Sequence, residues 1–311
     1  MDDDLVRSQA PSGEVSRRAG LAPACRHTSA QFDGAGGVRL HLQAWLPATE
    51  PAAVLAVVHG YGEHGGRHHY LAEAMAARNY AVYAYDLRGH GLSSGQRGQV
   101  GRFGDYMADT AVYLDEVRAL ETGRPLFLLG HSLGGLISAA FAIDHPDGLD
   151  GLILSSPFLR LGFEVPATRR FGARMLSVVW PGRDIGNTLR AEELSHEADV
   201  VEAYTTDPLV HHRAPARWAA ETLAAQDAIL ACAPRLELPL LVLYGDGDVV
   251  ADPAAGREFA EAAGSADKTV RGYEGFYHEL FNETGREQVF ADLADWLGAR
   301  VPEAAAPSGP A

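Results

Sequence analysis

"LLGHSLGGLISAAF" (Leu128–Phe141) joins an apolar run to an alanine-rich helical pattern through Gly-His-Ser-Leu-Gly-Gly. Strand, then G-x-S-x-G, then helix is the pattern that presents a serine in a sharp, strained turn with its hydroxyl projecting from a sheet edge. Side chains two residues before and after that serine would collide, which explains Gly130 and Gly134 around Ser132. The helix that starts there aims its first amides at any developing negative charge, and the Leu133 N–H is the natural first donor to an oxyanion. A glycine turn that only packs a helix on a strand has the same local sequence. A phosphate loop needs Gly-Lys-Ser/Thr, and no lysine is present here.

Outward from this stretch, strand and helix patterns alternate. "GVRLHLQAWLP" (Gly37–Pro47) alternates apolar and polar as a half-buried strand does. "AAVLAVVHG" (Ala52–Gly60), "YAVYAYD" (Tyr80–Asp86), "PLFLLGH" (Pro125–His131), "GLILSSP" (Gly151–Pro157) and "LPLLVLYGD" (Leu238–Asp246) are short continuous apolar runs bounded by turns. Such runs are strands covered on both faces. "KTVRGYEG" (Lys268–Gly275) adds another. Helical periodicity marks Phe103–Val117, and helices are expected at Arg67–Arg78, Ser132–His145, Pro253–Ala263 and Arg286–Ala299. The fold class is α/β, with a mostly parallel central sheet flanked by helices. From Phe158 to Trp218 the rhythm breaks: no strand run occurs, and Pro166, Pro181, Pro208 and Pro215 fall there. That segment reads as an inserted, mainly helical cap over the sheet's ligand-binding end. The expected organisation is a disordered leader at 1–27, a core at 28–157 and 219–300, the cap at 158–218 and a flexible tail at 301–311.

A serine hydroxyl becomes a good nucleophile when a base takes its proton. With this elbow the chain order is serine, then acid, then histidine. Downstream of Leu238 there is one histidine, His278, in "YEGFYHELFNE" after the last strand. The acid should follow the preceding strand, where "LLVLYGDGDVV" offers Asp246 and Asp248, with Asp252 further on. The spacing leans toward Asp248, and one of the others is expected to cap the loop or the next helix. A second oxyanion donor should come from the loop after the Ala52–Gly60 strand, "HGYGEHGGR", where the backbone amide of Tyr61 is the candidate. His64, His68 and His69 crowd that loop, but HExxH spacing is absent and no metal is expected. In "DLRGHGLSSG" (Asp86–Gly95), Arg88 and His90 read as braces for the elbow loops.

Composition bounds the partners. The chain has 311 residues, 41 acidic and 26 basic, for a net charge of −15. A surface of that sign does not suit nucleic acid. Cys25 and Cys232 are the only cysteines, with no metal or redox spacing. The charged amino terminus has no apolar signal region and no run approaches a membrane span, so a cytoplasmic protein is expected.

Taken together, "HGYGEH", "DLRGHGLSSG", "GHSLGG", "SSP", "TDPLVHH", "GDGD" and "YEGFYHELFNE" occur in the order seen in monoacylglycerol lipases and related lysophospholipase-like α/β-hydrolases. The resemblance runs from about Gln31 to Leu297, and "AYTTDPLVHH" (Ala203–His212) resembles the bacterial enzymes in particular. It implies Ser132 as nucleophile, Asp248 as acid, His278 as base and the amides of Tyr61 and Leu133 as oxyanion donors. It further implies that Glu63 lines the polar, glycerol end of the pocket and that the cap opens toward lipid, with transient contact to a membrane surface. Tyr61 is larger than the residue many relatives carry there. The implied reaction is hydrolysis of a monoacylglycerol, or of a lysophospholipid or short-chain ester, without a cofactor. Peptidases and thioesterases share this scaffold, as do binding proteins that have lost activity. Dehalogenases and epoxide hydrolases carry an aspartate at the elbow, where this chain has serine.

Overall fold

The apolar runs become strands of one eight-stranded sheet in the computed structural model, which describes residues 25–301 apart from 164, 187 and 188. In chain order the strands are β1 (Cys25–Asp33), β2 (Arg39–Pro47), β3 (Ala53–Val58), β4 (Tyr80–Tyr85), β5 (Leu126–His131), β6 (Gly151–Ser155), β7 (Leu240–Gly245) and β8 (Lys268–Tyr273). They lie in the order β1-β2-β4-β3-β5-β6-β7-β8. β2 pairs antiparallel with β1 and β4, and every other pairing is parallel.

The continuous apolar runs follow from burial on both faces. In β3, Val54, Ala56 and Val58 belong to one core, and Ala53, Leu55 and Val57 to the other. The first core is closed by helices α2 (Phe103–Leu120), α3 (Leu133–Asp144) and α7 (Pro253–Ala262), which contribute Tyr106, Tyr113, Leu136 and Phe259. The second lies under α1 (His69–Ala76) and α8 (Arg286–Gly298), with Leu71, Met75, Val289 and Leu293. Each such side chain contributes about 1.5–3 kcal/mol by burial.

Two boundaries differ from the sequence reading. Residues 25–27, assigned above to the leader, are the start of β1, an edge strand whose side chains are mostly exposed. The rest of that leader (1–24) and the tail from 302 lie outside the described residues. Between β6 and β7 the chain forms α4 (Ala167–Val179), a short 3-10 turn, α5 (Ala198–Thr206) and α6 (Ala216–Cys232). α6 begins two residues before the expected end of the cap and packs against both α4 and α3, so the chain has no break there. The parallel register brings the loops after β3, β5, β6, β7 and β8 to one rim of the sheet, under this insertion.

Candidate active site

Ser132 occupies the turn between β5 and α3 with φ 53° and ψ −119°. A non-glycine residue in that region is strained by about 1–3 kcal/mol and persists where its surroundings hold it. The flanking glycines do so. A Cβ on Gly130 would lie 2.3 Å from the Gly134 carbonyl oxygen, and one on Gly134 would lie 2.0 Å from that of Val58. The turn is pinned across the sheet edge, because the Ser132 N–H donates to Ser155 O (3.0 Å) and Ser132 O accepts from Phe158 N (2.9 Å).

The loops after β7 and β8 are zipped together. Gly247 N donates to Phe276 O at 3.0 Å, and Asp246 N to Tyr273 O at 3.1 Å. This zipper places the Asp248 Oδ2 atom 2.7 Å from His278 Nδ1. Asp248 Oδ1 accepts from Val250 N (2.8 Å) and Ala251 N (3.0 Å), so both oxygens are held. Burial disfavours charge on His278, but the Asp248 carboxylate outweighs it and raises the imidazole pKa above its ordinary value. The other two carboxylates of this stretch turn elsewhere. Asp246 Oδ1 accepts from Gly275 N at 2.6 Å, and Asp252 caps α7 by accepting from Ala254 N at 2.9 Å.

The loop after β3 brings Tyr61 to the same place. His59 is fully buried; its Nε2 accepts from Leu87 N (2.8 Å), which leaves Nδ1–H to donate to Gly60 O (2.7 Å). The Gly60 carbonyl and the Tyr61 N–H belong to one planar trans peptide. Holding the carbonyl therefore fixes the direction of the N–H, which leaves on the opposite side. Of the two expected braces, only His90 lies here, its ring 5.5 Å from that of His59; Arg88 turns instead to α2 and the β1–β2 turn, binding Asp109 (2.6 and 2.7 Å) and Ala35 O (3.0 Å).

Ser132 and His278 open onto one cavity of about 80 Å³. Its lining mixes polar residues, Glu63, His131, Tyr204 and Glu279, with apolar ones, Phe158, Leu194, Trp218 and Val250. Glu63 lines this cavity, and its carboxylate is already engaged. Oε1 accepts from Gly60 N (2.6 Å) and faces His68 Nε2 (3.3 Å), while Oε2 lies 3.4 Å from Arg67 Nε. Burial opposes its charge, yet His68 beside it holds the carboxyl well below the usual carboxylate range. Arg67 also binds Glu279 (2.7 and 2.9 Å) and lies over the Tyr204 ring. His131, whose ring is 4.9 Å from that of His278, is pushed well below the ordinary histidine pKa by burial and then by His278. A larger groove of about 950 Å³ between residues 159–167, α6 and α7 contains none of these groups.

His64, His68 and His69 turn to three different partners, Asp207, Glu63 and Gly66 O. Sequence reasoning passed over Arg67, Glu279, His59 and His131. Arg67 stands four residues after Glu63, a helical spacing that pairs opposite charges, and Glu279 adjoins His278.

The family model described as "Serine aminopeptidase, S33" (Hydrolase_4) matches residues 49–285. The chain is 34% identical over 267 residues to a monoacylglycerol lipase of Mycolicibacterium smegmatis, covering 86% of this chain and 95% of that one. It is 33% identical over 281 residues to the monoglyceride lipase of Homo sapiens, covering 89% and 92%. Among solved structures, the Paleococcus ferrophilus monoacylglycerol lipase superposes with a TM-score of 0.75 at 30% identity, covering 88% of this chain and 99% of that one.

Proposed function

The chain belongs to the Hydrolase_4 family of α/β-hydrolases, alongside the monoacylglycerol lipases, and from that premise we propose that it cleaves monoacylglycerols to glycerol and fatty acid. In this reading Ser132 Oγ attacks the acyl carbonyl while His278 Nε2 takes its proton. Asp248 holds the ring in the required tautomer and stabilises the imidazolium. The charge on the carbonyl oxygen falls between the amides of Tyr61 and Leu133, at the amino terminus of α3. His278 then protonates the departing glycerol oxygen, and water releases the acyl group by the same steps.

The observation that carries this reading is the 2.7 Å Asp248–His278 contact at a cavity shared with Ser132. The cavity's mixed lining supports the substrate class: the Tyr204 hydroxyl, buried without a hydrogen-bond partner among the described residues, suits a glycerol hydroxyl, and Phe158, Trp218 and Val250 suit an acyl chain. The family description also covers aminopeptidases, which must hold a substrate ammonium. Here Glu63 and Glu279 both face Arg67, which disfavours that use.

Supply of substrate from a lipid surface is part of the same proposal. Phe171, Met175, Val178, Val179 and Trp180 are all more than half exposed along α4 and its end. Among the described residues no helix is long and apolar enough to cross a membrane. The net charge of −15 favours neutral over anionic lipid.

The test is a substrate panel: monoacylglycerols of several lengths, a diacylglycerol, lysophosphatidylcholine, short p-nitrophenyl esters and an aminoacyl amide. Fastest turnover of a monoacylglycerol is expected. Activity confined to the amide would overturn the reading.

A further inference from the structure

We propose that Trp218, on the first turn of α6, is a positioning residue that sets the Tyr61 amide, so that the oxyanion site is complete only while the inserted segment is seated. The inference rests on the reading above, in which that amide binds the oxyanion.

The peptide joining Gly60 to Tyr61 has two anchors. One is His59, which holds its carbonyl side at 2.7 Å. The other is the Tyr61 side chain, which fixes the α-carbon about which that peptide would turn. The Tyr61 ring stacks on Trp218 with centroids 3.6 Å apart and planes 18° from parallel. Its hydroxyl shares one proton between Arg213 O (2.8 Å) and Gly98 O (3.0 Å). The His211 ring meets it edge-on at 5.2 Å, and His211 N donates to Gly62 O at 2.9 Å, immediately beyond Tyr61. A Cβ on Gly98 would lie 2.5 Å from the Tyr61 hydroxyl oxygen, and one on Gly62 would lie 2.7 Å from His211 O, so these contacts need glycine on the core side.

Most of what grips Tyr61 therefore comes from the stretch 211–218. That stretch is bonded onward: Ala216 N donates to Arg183 O (2.8 Å) and Arg217 N to Pro181 O (3.1 Å), in the turn that ends α4. A displacement of that turn carries the first turn of α6 with it. Trp218 then leaves the Tyr61 ring, and the amide loses one of its two anchors. A small residue at position 61 would give the inserted segment no such handle, whereas the large Tyr61 ring does.

The experiment compares two inhibitors on the full chain. A long-chain trifluoromethyl ketone forms an adduct with Ser132 whose oxygen sits where the oxyanion does. A non-hydrolysable glyceryl alkyl ether occupies the cavity without one. Trp218 also lines the cavity, so for Trp218→Ala the ether and the ketone should both weaken by the packing lost there. The ketone should weaken by about a further tenfold beyond the ether, matched by the fall in kcat, a fraction of what loss of a whole oxyanion donor removes. Trp218→Phe, which keeps a stacking ring, should recover most of the loss. Tyr61→Phe, which keeps the ring and removes both hydroxyl contacts, should show the same split to a smaller degree. It carries the test if Trp218→Ala fails to fold. Equal weakening of ether and ketone would mean that Trp218 only lines the pocket, and would overturn the inference. So would an unchanged kcat in both variants. A wild-type chain with neither ester hydrolysis nor Ser132-dependent ketone binding would overturn this inference together with the functional reading.

Discussion

Ser132, with its φ of 53°, and Asp248, with its three hydrogen bonds, carry different kinds of information. The serine was legible because its neighbours must be glycine, and that need is written locally. His278 was legible by elimination, as the one histidine after the last strands. Asp248 was separable from Asp246 only by the course of two loops, which contacts such as Asp246 to Gly275 N decide and spacing does not. The chemistry predicts that Asp248→Asn lowers kcat by on the order of 10³–10⁴ through the wrong imidazole tautomer. Asp246→Asn should mainly lower thermal stability, and a steady-state comparison of the two variants checks this. A pH profile of kcat/KM adds a sign. The base works unprotonated, so a His278 pKa raised by Asp248 places the acid limb above the ordinary histidine value. The limb should move to lower pH in whatever activity Asp248→Asn retains.

At the scale of elements, periodicity found what burial dictates and missed what burial does not. β3, β5 and β7 are covered on both faces and read as unbroken apolar runs. β1 is an edge strand with mostly exposed side chains, so its sequence is polar and merges with the segment before it. α6 is split between covering the core and supporting α4, which blurs its apolar stripe across the expected boundary. The elbow yields a prediction at this scale. Gly134→Ala puts a methyl 2.0 Å from Val58 O, so α3 must move off β3, destabilising the protein by at least about 2 kcal/mol in urea unfolding. The exposed side of α4 yields another. Val179→Asp with Trp180→Asp should cut co-flotation with neutral lipid vesicles several-fold, yet leave turnover of a soluble short-chain ester within about twofold. Equal flotation of variant and parent would remove α4 from the account of lipid contact.

For the whole molecule, the buried histidines make stability depend on pH in a direction set by their shifts. His41, His59, His69, His90 and His131 are lowered by burial, and His211 to about 4 by burial and then Arg97. Groups with depressed folded values bind protons more readily when unfolded. Their contribution is complete above the unfolded histidine value of about 6.5 and is lost as pH falls toward the folded values. His278, raised, acts in the opposite sense: its contribution is full below the unfolded value and fades as pH rises through the folded one. Six lowered histidines outweigh one raised one, so the urea midpoint should drop steadily from pH 7 to pH 5. A flat midpoint would mean that these rings are charged or solvated in the native protein.

The central claim is that Ser132 is the nucleophile of a monoacylglycerol hydrolase, and it meets its most direct test in one labelling measurement. The chain is incubated with a long-chain alkyl fluorophosphonate, and peptide mass spectrometry is read against residual monoacylglycerol hydrolysis. The account predicts a single adduct on Ser132, with activity lost in proportion to labelling. An adduct on another serine that abolishes activity, or full labelling of Ser132 with hydrolysis intact, would contradict it.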